Sequence, residues 1–178
     1  MIQPLKPQDF DAFFDLLEQS FPPEEYRPYA AQRALLENPA YCPLILQDAD
    51  GAPCGLIALW DLGTFGYVEH LAVAPSLRCG GLGRQLLTEG LSKFGKRVCL
   101  EVEPPETELA RRRIGFYRRC GLTLHPDYPY LQPPLAEGRS AFPLLLMTTG
   151  GPASRAELDA MRDTLYAVVY PHFPEVQP

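Results

Sequence analysis

Two hydrophobic periods alternate along this chain. Near the start, Phe10, Phe13, Phe14 and Leu17 recur at helical spacing and Pro7 suits a first turn, so residues 7–20 are predicted as an amphipathic helix after a short strand at 2–6. A Pro- and aromatic-rich loop (21–29) leads to a second helix at 30–37, ended by Asn38-Pro39. The period then changes. Residues 41–47 and 54–62 read as strands joined at Asp48-Ala49-Asp50-Gly51, a hairpin, with another strand at 67–73. Past a glycine-containing loop at 75–81, Leu86, Leu87, Leu91 and Phe94 mark a helix over 83–95. Residues 97–103 alternate, with Val98, Leu100 and Val102 opposite Cys99, Glu101 and Glu103. A helix over 106–119 is closed by Gly121, a strand begins at 122–124, and 126–138 reads as a Pro- and Tyr-rich loop. A strand at 141–149 precedes a last helix, 154–170, opened by a capping box of Ser154 and Glu157.

The order is mixed α+β. At 178 residues the expectation is a single domain over 1–178, with no internal repeat and no linker composition. The 46% hydrophobic content is enough for a core and excludes a disordered chain. No run of 18 apolar residues exists, which predicts no membrane partner, and the N-terminal residues lack a secretory pattern. Five cysteines without metal-ligand spacing suit reduced thiols, so the expectation is a cytoplasmic protein with no metal site. The net charge of −6 speaks against nucleic-acid binding. Charge is nonetheless uneven. Residues 78–119 hold ten of the sixteen basic residues and five acids, a local +5 that leaves −11 for the rest. Such a stretch serves either a local anionic ligand or a pair of solvated helix faces.

The stretch from Val73 to Arg84 runs from a strand into glycines and directly into a helix. Backbone N–H groups at a helix start, helped by the helix dipole, bind anions, and glycine lets a phosphate approach closely. A Lys-Ser/Thr pair for a nucleotide P-loop is missing, and so is the third glycine of a dinucleotide fingerprint. What remains is Arg-x-x-Gly-x-Gly: Arg78, Gly81 and Gly83. This pattern resembles the pyrophosphate loop of the GNAT acyltransferase superfamily. The preceding run Val68 to Pro75 looks like that family's fourth strand, and Phe116-Tyr117 through Leu122 is similar to its later Phe-Tyr-x-x-x-Gly-Phe segment, with Leu122 in place of the usual Phe. The resemblance covers about residues 41–149. It departs near the start of the later helix, where Glu106, Thr107 and Glu108 stand in place of a frequent Asn.

The resemblance implies a mixed, mostly antiparallel central sheet splayed between its fourth and fifth strands (67–73 and 97–103), with helices on both faces. It implies acetyl-CoA as acyl-donor cosubstrate, its diphosphate on Arg78, Cys79, Gly80, Gly81, Leu82, Gly83 and Arg84, and its acyl oxygen near the backbone of Leu71, Ala72 and Val73. An N-acetyltransferase is implied, acting by direct attack of a primary amine in a ternary complex, with a small-molecule or peptide acceptor. A binding or sensing module without catalysis is the alternative reading. The family's acid falls on Tyr117, whose other role is a core aromatic at i+7 from Ala110. Glu69 is the candidate base, because a carboxylate in an apolar strand needs a reason. Strict alternation sets Glu69 and His70 on opposite faces, and a bulge would give His70 the role. Two loops, 22–29 and 126–134, are expected to border the acceptor. They supply Glu24, Glu25, Tyr26, Arg27, Tyr128, Tyr130 and Gln132, of which Tyr26, Arg27 and Tyr130 are the substrate-binding candidates. Arg111, Arg112 and Arg113 either touch a cofactor phosphate or line a solvated face. The state is expected to be monomer or homodimer, since the apolar stripe of the last helix fits either a partner or its own core.

Overall fold

The computed structural model describes residues 1–78 and 80–171, so Cys79 lies outside the described residues. It resolves into two compact units, 1–95 and 96 onward.

In the first unit, β1 (Ile2–Pro4) is followed by α1 (Phe10–Ser20) and α2 (Tyr29–Ala34), then β2 (Leu44–Gln47), β3 (Pro53–Asp61), β4 (Gly66–Val73) and α3 (Leu82–Ser92). The four strands pair antiparallel in sequence order. Helix α1 buries Phe10, Phe13, Phe14 and Leu17, the stripe its period predicts, and Leu16 beside them. Each such side chain contributes about 1.5–3 kcal/mol relative to exposure. Residues 7–9 form a 3-10 turn that leads into it. The other large helix, α3, comes very close to β3. A Cβ on Gly90 would lie 2.7 Å from Ile57 Cδ1, and one on Gly55 would lie 2.8 Å from Leu86 Cδ1. Ile57 and Gly55 are two apart, so α3 covers that one face of β3.

The second unit holds β5 (Val98–Val102), α4 (Glu108–Arg119), β6 (Thr123–Gln132), β7 (Phe142–Thr148) and α5 (Arg155–Thr164). Its strands run β5-β7-β6, antiparallel. Thr107 caps α4 by accepting from the Ala110 N–H, and Gly121 closes it at φ +90°. The Ser154–Glu157 capping box opens α5, which passes into a π-helical turn at Leu165–Val169. Among the described residues no helix is long and apolar enough to cross a membrane.

One segment differs from the sequence expectation. Residues 126–132 belong to strand β6 and are not loop. Pro126 and Pro129 argue against a central strand, because proline cannot donate to a ladder. Here β6 pairs with β7 along one side, the pairing breaks between His125 and Tyr130, and both prolines fall inside that irregular stretch. Tyr128, Tyr130 and Gln132 alternate inward with a period of two.

Candidate active site

Strand β4 ends at Val73 and a 3-10 turn at Pro75–Leu77 carries the chain to the start of α3. Gly81 occupies the N-cap position in the left-handed region, φ +79°, with open space where a Cβ would project. Among the described residues no side chain caps this helix start. Among the described residues the first backbone hydrogen bond into α3 runs from the Gln85 N–H to the Gly81 carbonyl at 3.0 Å, and the N–H groups before it have no partner there, as at a helix terminus. Gly80, Gly81 and Arg84 are exposed, and Leu82 and Gly83 half-buried. Arg78 is exposed and anchored, its Nε donating to the Val73 carbonyl at 3.1 Å. Glycine at the cap, an open approach and arginines on either side make a surface suited to a diphosphate.

Further back along β4 the ladder with β3 slips. Ala58 faces His70, but Leu59 faces Val68, so Glu69 is an extra residue in a bulge. The slip breaks the alternation that would put Glu69 and His70 on opposite faces. Both side chains instead enter one buried polar cluster, 3% and 2% exposed. The Glu69 carboxylate accepts from Arg27 through Oε1 and from Trp60 Nε1 through Oε2, the latter at 2.9 Å. The Arg27 guanidinium also stands 5.9 Å from the Trp60 ring centroid. Burial by itself would raise the Glu69 pKa. The charges of Arg27 and His70 and the two hydrogen bonds outweigh it, and the carboxyl sits below its ordinary range. His70 Nε2 lies 2.7 Å from the Glu25 carbonyl, and its ring meets Phe21 edge-on at 4.9 Å. Its other nitrogen, Nδ1, is buried with no hydrogen-bond partner and lies 3.9 Å from Glu69 Oε2. Burial pushes the His70 pKa below its ordinary value despite the neighbouring carboxylate.

Behind this cluster, Gln32 is fully buried and donates to the Tyr41 hydroxyl at 3.0 Å, and the Tyr41 ring packs 5.0 Å from Trp60. Tyr26, one residue before Arg27, is buried with its ring edge-on to Phe14 and its hydroxyl 3.4 Å from Glu18.

In the second unit, Tyr117 is 8% exposed on the inward stripe of α4, with Ala110 and Ile114. Its hydroxyl makes no hydrogen bond among the described residues, and burial pushes its pKa up to about 12. Tyr130 donates to Glu101 Oε1, and the Tyr170 hydroxyl lies 3.1 Å from Oε2 of the same carboxylate. Tyr128 donates instead to Asp159 at 2.9 Å. The arginine run is occupied locally: Arg111 donates to the Pro105 and Glu106 carbonyls, Arg112 lies 4.0 Å from Glu108, and Arg113 bonds Glu103 at 2.7 Å.

Of the residues singled out from the sequence, Arg27 and Glu69 meet directly. Tyr26 is the chain neighbour of Arg27, with its ring on Phe14 and its hydroxyl near Glu18. Leu71 to Val73 and the glycine turn are consecutive parts of the same unit. Trp60, the Glu25 carbonyl, Glu101 and Tyr170 escaped sequence reasoning. Trp60 carried a usable signal, being the one tryptophan of the chain and, when buried, in need of an acceptor for its N–H.

Comparison with known proteins adds independent findings. The Acetyltransferase (GNAT) family pattern matches residues 10–122. A solved protein of Bacteroides thetaiotaomicron assigned to the GNAT family is 37% identical over 96% of this chain and 98% of its own, with a TM-score of 0.85. A GNAT-family N-acetyltransferase of Escherichia coli, solved in complex with CoA, is 26% identical over 70% of this chain and 68% of its own, with a TM-score of 0.55. A spermidine N-acetyltransferase variant of Vibrio cholerae shares the fold at 16% identity, over 84% of this chain and 94% of its own, with a TM-score of 0.62. No curated protein sequence matches the chain.

Proposed function

The chain belongs to the GNAT acetyltransferase family and has its fold, and we propose that it moves an acetyl group from acetyl-CoA to a primary amine by direct attack in a ternary complex. The observation that carries the reading is the start of α3: a left-handed, open Gly81 at an N-cap that no side chain occupies. That turn fits a diphosphate, because a bulkier residue at the cap would be strained and a capping side chain would compete for the same N–H groups.

Acetyl-CoA, when bound, supplies the acetyl group as an activated thioester. The chain's own contributions are these. The N–H groups of Gly81 to Arg84, with Arg78 and Arg84, hold the diphosphate. Backbone N–H groups in the Leu71–Val73 stretch polarise the acyl oxygen as negative charge develops. Tyr117 delivers the proton to the leaving sulfur. A phenol pushed up to about 12 remains protonated at neutral pH until it is needed. The amine loses its proton at the Glu69–His70 bulge, where a carboxylate and an imidazole sit side by side. Direct transfer also suits Cys54 and Cys99, whose thiols burial raises, which makes these two poor acyl carriers. Glu101, which accepts from Tyr130 and Tyr170, favours an amine acceptor together with the aromatic faces around it. Arg27 is proposed to act on the acceptor side through the same bulge, and Tyr26 to border the acceptor from the same loop.

The test is thiol release from acetyl-CoA in the presence of primary amines: polyamines, amino sugars, amino-acid amides and peptide N-termini. Amine-dependent release supports the enzyme. Binding of acetyl-CoA without release by any amine would leave a sensing module.

A further inference from the structure

Resting on the amine-acetylation reading, we infer that the proton leaving the acceptor amine comes to rest on His70 Nδ1, with Glu69 as the fixed anion that stabilises the imidazolium formed there.

The argument begins with the tautomer. A carbonyl oxygen only accepts, so the 2.7 Å contact between His70 Nε2 and the Glu25 carbonyl puts the ring proton on Nε2. Nδ1 then carries a lone pair. That atom is buried and without a hydrogen-bond partner, a costly arrangement for a polar atom in a purely structural role. Glu69 is in the opposite condition. Its oxygens accept hydrogen bonds from Arg27 and from Trp60, contacts that favour the charged carboxylate and weaken it as a base. Of these two neighbours, His70 offers the lone pair that no donor already stabilises.

The transfer balances simply. An N–H bond of the ammonium breaks and an Nδ1–H bond forms, leaving a neutral amine with its lone pair available and an imidazolium hydrogen-bonded at Nε2. The new charge lies 3.9 Å from Glu69 Oε2. The groups around the ring are few. Glu69 from its own strand favours the imidazolium and Arg27 opposes it, while the segment before Arg27 contributes the Glu25 carbonyl, which favours it, and Phe21, which is uncharged. Because Arg27 is bound to Glu69, it moderates an attraction that would otherwise hold His70 protonated at rest. The lowered His70 pKa agrees with a ring that is neutral before the reaction.

Two variants separate the assignments. His70→Gln keeps an amide N–H near the Nε2 position for the Glu25 carbonyl and removes the Nδ1 lone pair. Glu69→Gln keeps an oxygen for Trp60 and removes the charge. Rates are measured from pH 5 to 9 with the best amine of the panel. His70→Gln is expected to lose 100-fold or more in kcat/KM, in line with the roughly 10²–10⁴ of general-base catalysis, and the acid limb of the profile disappears. Its acetyl-CoA thermal shift stays that of the wild type. Glu69→Gln is expected to keep the acid limb and move it to lower pH. The reverse pattern, with the limb lost in Glu69→Gln and kept in His70→Gln, overturns the assignment. A second measurement needs no acceptor: 15N-imidazole NMR of the wild-type chain is expected to show His70 with its proton on Nε2 at neutral pH. A proton on Nδ1 overturns the proposal whatever the amine panel gives, whereas failure of every amine counts against the amine-acetylation reading.

Discussion

Arg27→Met tests the physical reading of the bulge without any substrate. The substitution removes the guanidinium and leaves Glu69, 3% exposed, in a site where Arg27 itself is 9% exposed. Breaking one side of a buried ion pair costs about 3–5 kcal/mol, because the remaining charge has lost its compensation. The 2.9 Å hydrogen bond from Trp60 survives and places the expected loss at the lower end, about 3 kcal/mol. For a chain of this length that is a fall in Tm of roughly 6–12 °C. Arg27→Met combined with Glu69→Gln is expected to lose less than the sum of the single losses, a coupling of about 2 kcal/mol or more. Acid shifts the comparison. In the wild type the Glu69 pKa lies below its ordinary 4.5, so the pair's contribution is present above that value and lost as pH falls through the folded one. In Arg27→Met, burial acts on the carboxyl without the arginine's opposing charge, so its pKa rises and the penalty relaxes as acid neutralises it. The gap between variant and wild type is therefore expected to narrow from pH 7.5 to pH 5. Urea unfolding of the four proteins at both pH values measures all of this. A loss below about 1 kcal/mol, the scale of an exposed pair, or strictly additive single losses, would refute the reasoning.

Two further substitutions address the cosubstrate and the acid. Gly81→Val forces a β-branched residue into φ +79° and narrows the open approach to the α3 terminus. Acetyl-CoA at about 100 times its Kd is expected to stabilise the wild type by about 2.7 kcal/mol, and calorimetry on the variant to show affinity weakened at least tenfold; equal affinity would separate the glycine turn from diphosphate binding. Tyr117→Phe removes one hydroxyl that has no partner among the described residues. It should leave stability and acetyl-CoA affinity near wild type while kcat falls by about 10², and unchanged turnover would remove this tyrosine from the chemistry.

Local rules made much of this protein readable in advance. The phenylalanine stripe of α1, the capping box of α5 and the glycine that closes α4 are dictated by neighbours three or four residues away. The Arg-x-x-Gly-x-Gly turn belongs to the same class, because a left-handed glycine before a helix is a backbone requirement written in a few consecutive residues. β6 was misread for the complementary reason. Pro126 and Pro129 signal a loop locally, and the ladder to β7 on either side of them keeps the segment a strand.

The site divides along the same line. Sequence alone marked Arg27, Glu69, His70, Tyr117 and Tyr130 as side chains with chemistry to offer. It also placed Tyr117 on the inward stripe of its helix, since a 3.6-residue period suffices for that. Which partners they meet depended on contacts between residues far apart in the chain. Arg27 reaches Glu69 across 42 positions, His70 reaches the Glu25 carbonyl across 45, and Tyr170 reaches Glu101 across 69. The decisive case is the slip between β3 and β4. It turns two consecutive residues to the same side, and a register is set by how both strands pack, so neither strand's own alternation could reveal it.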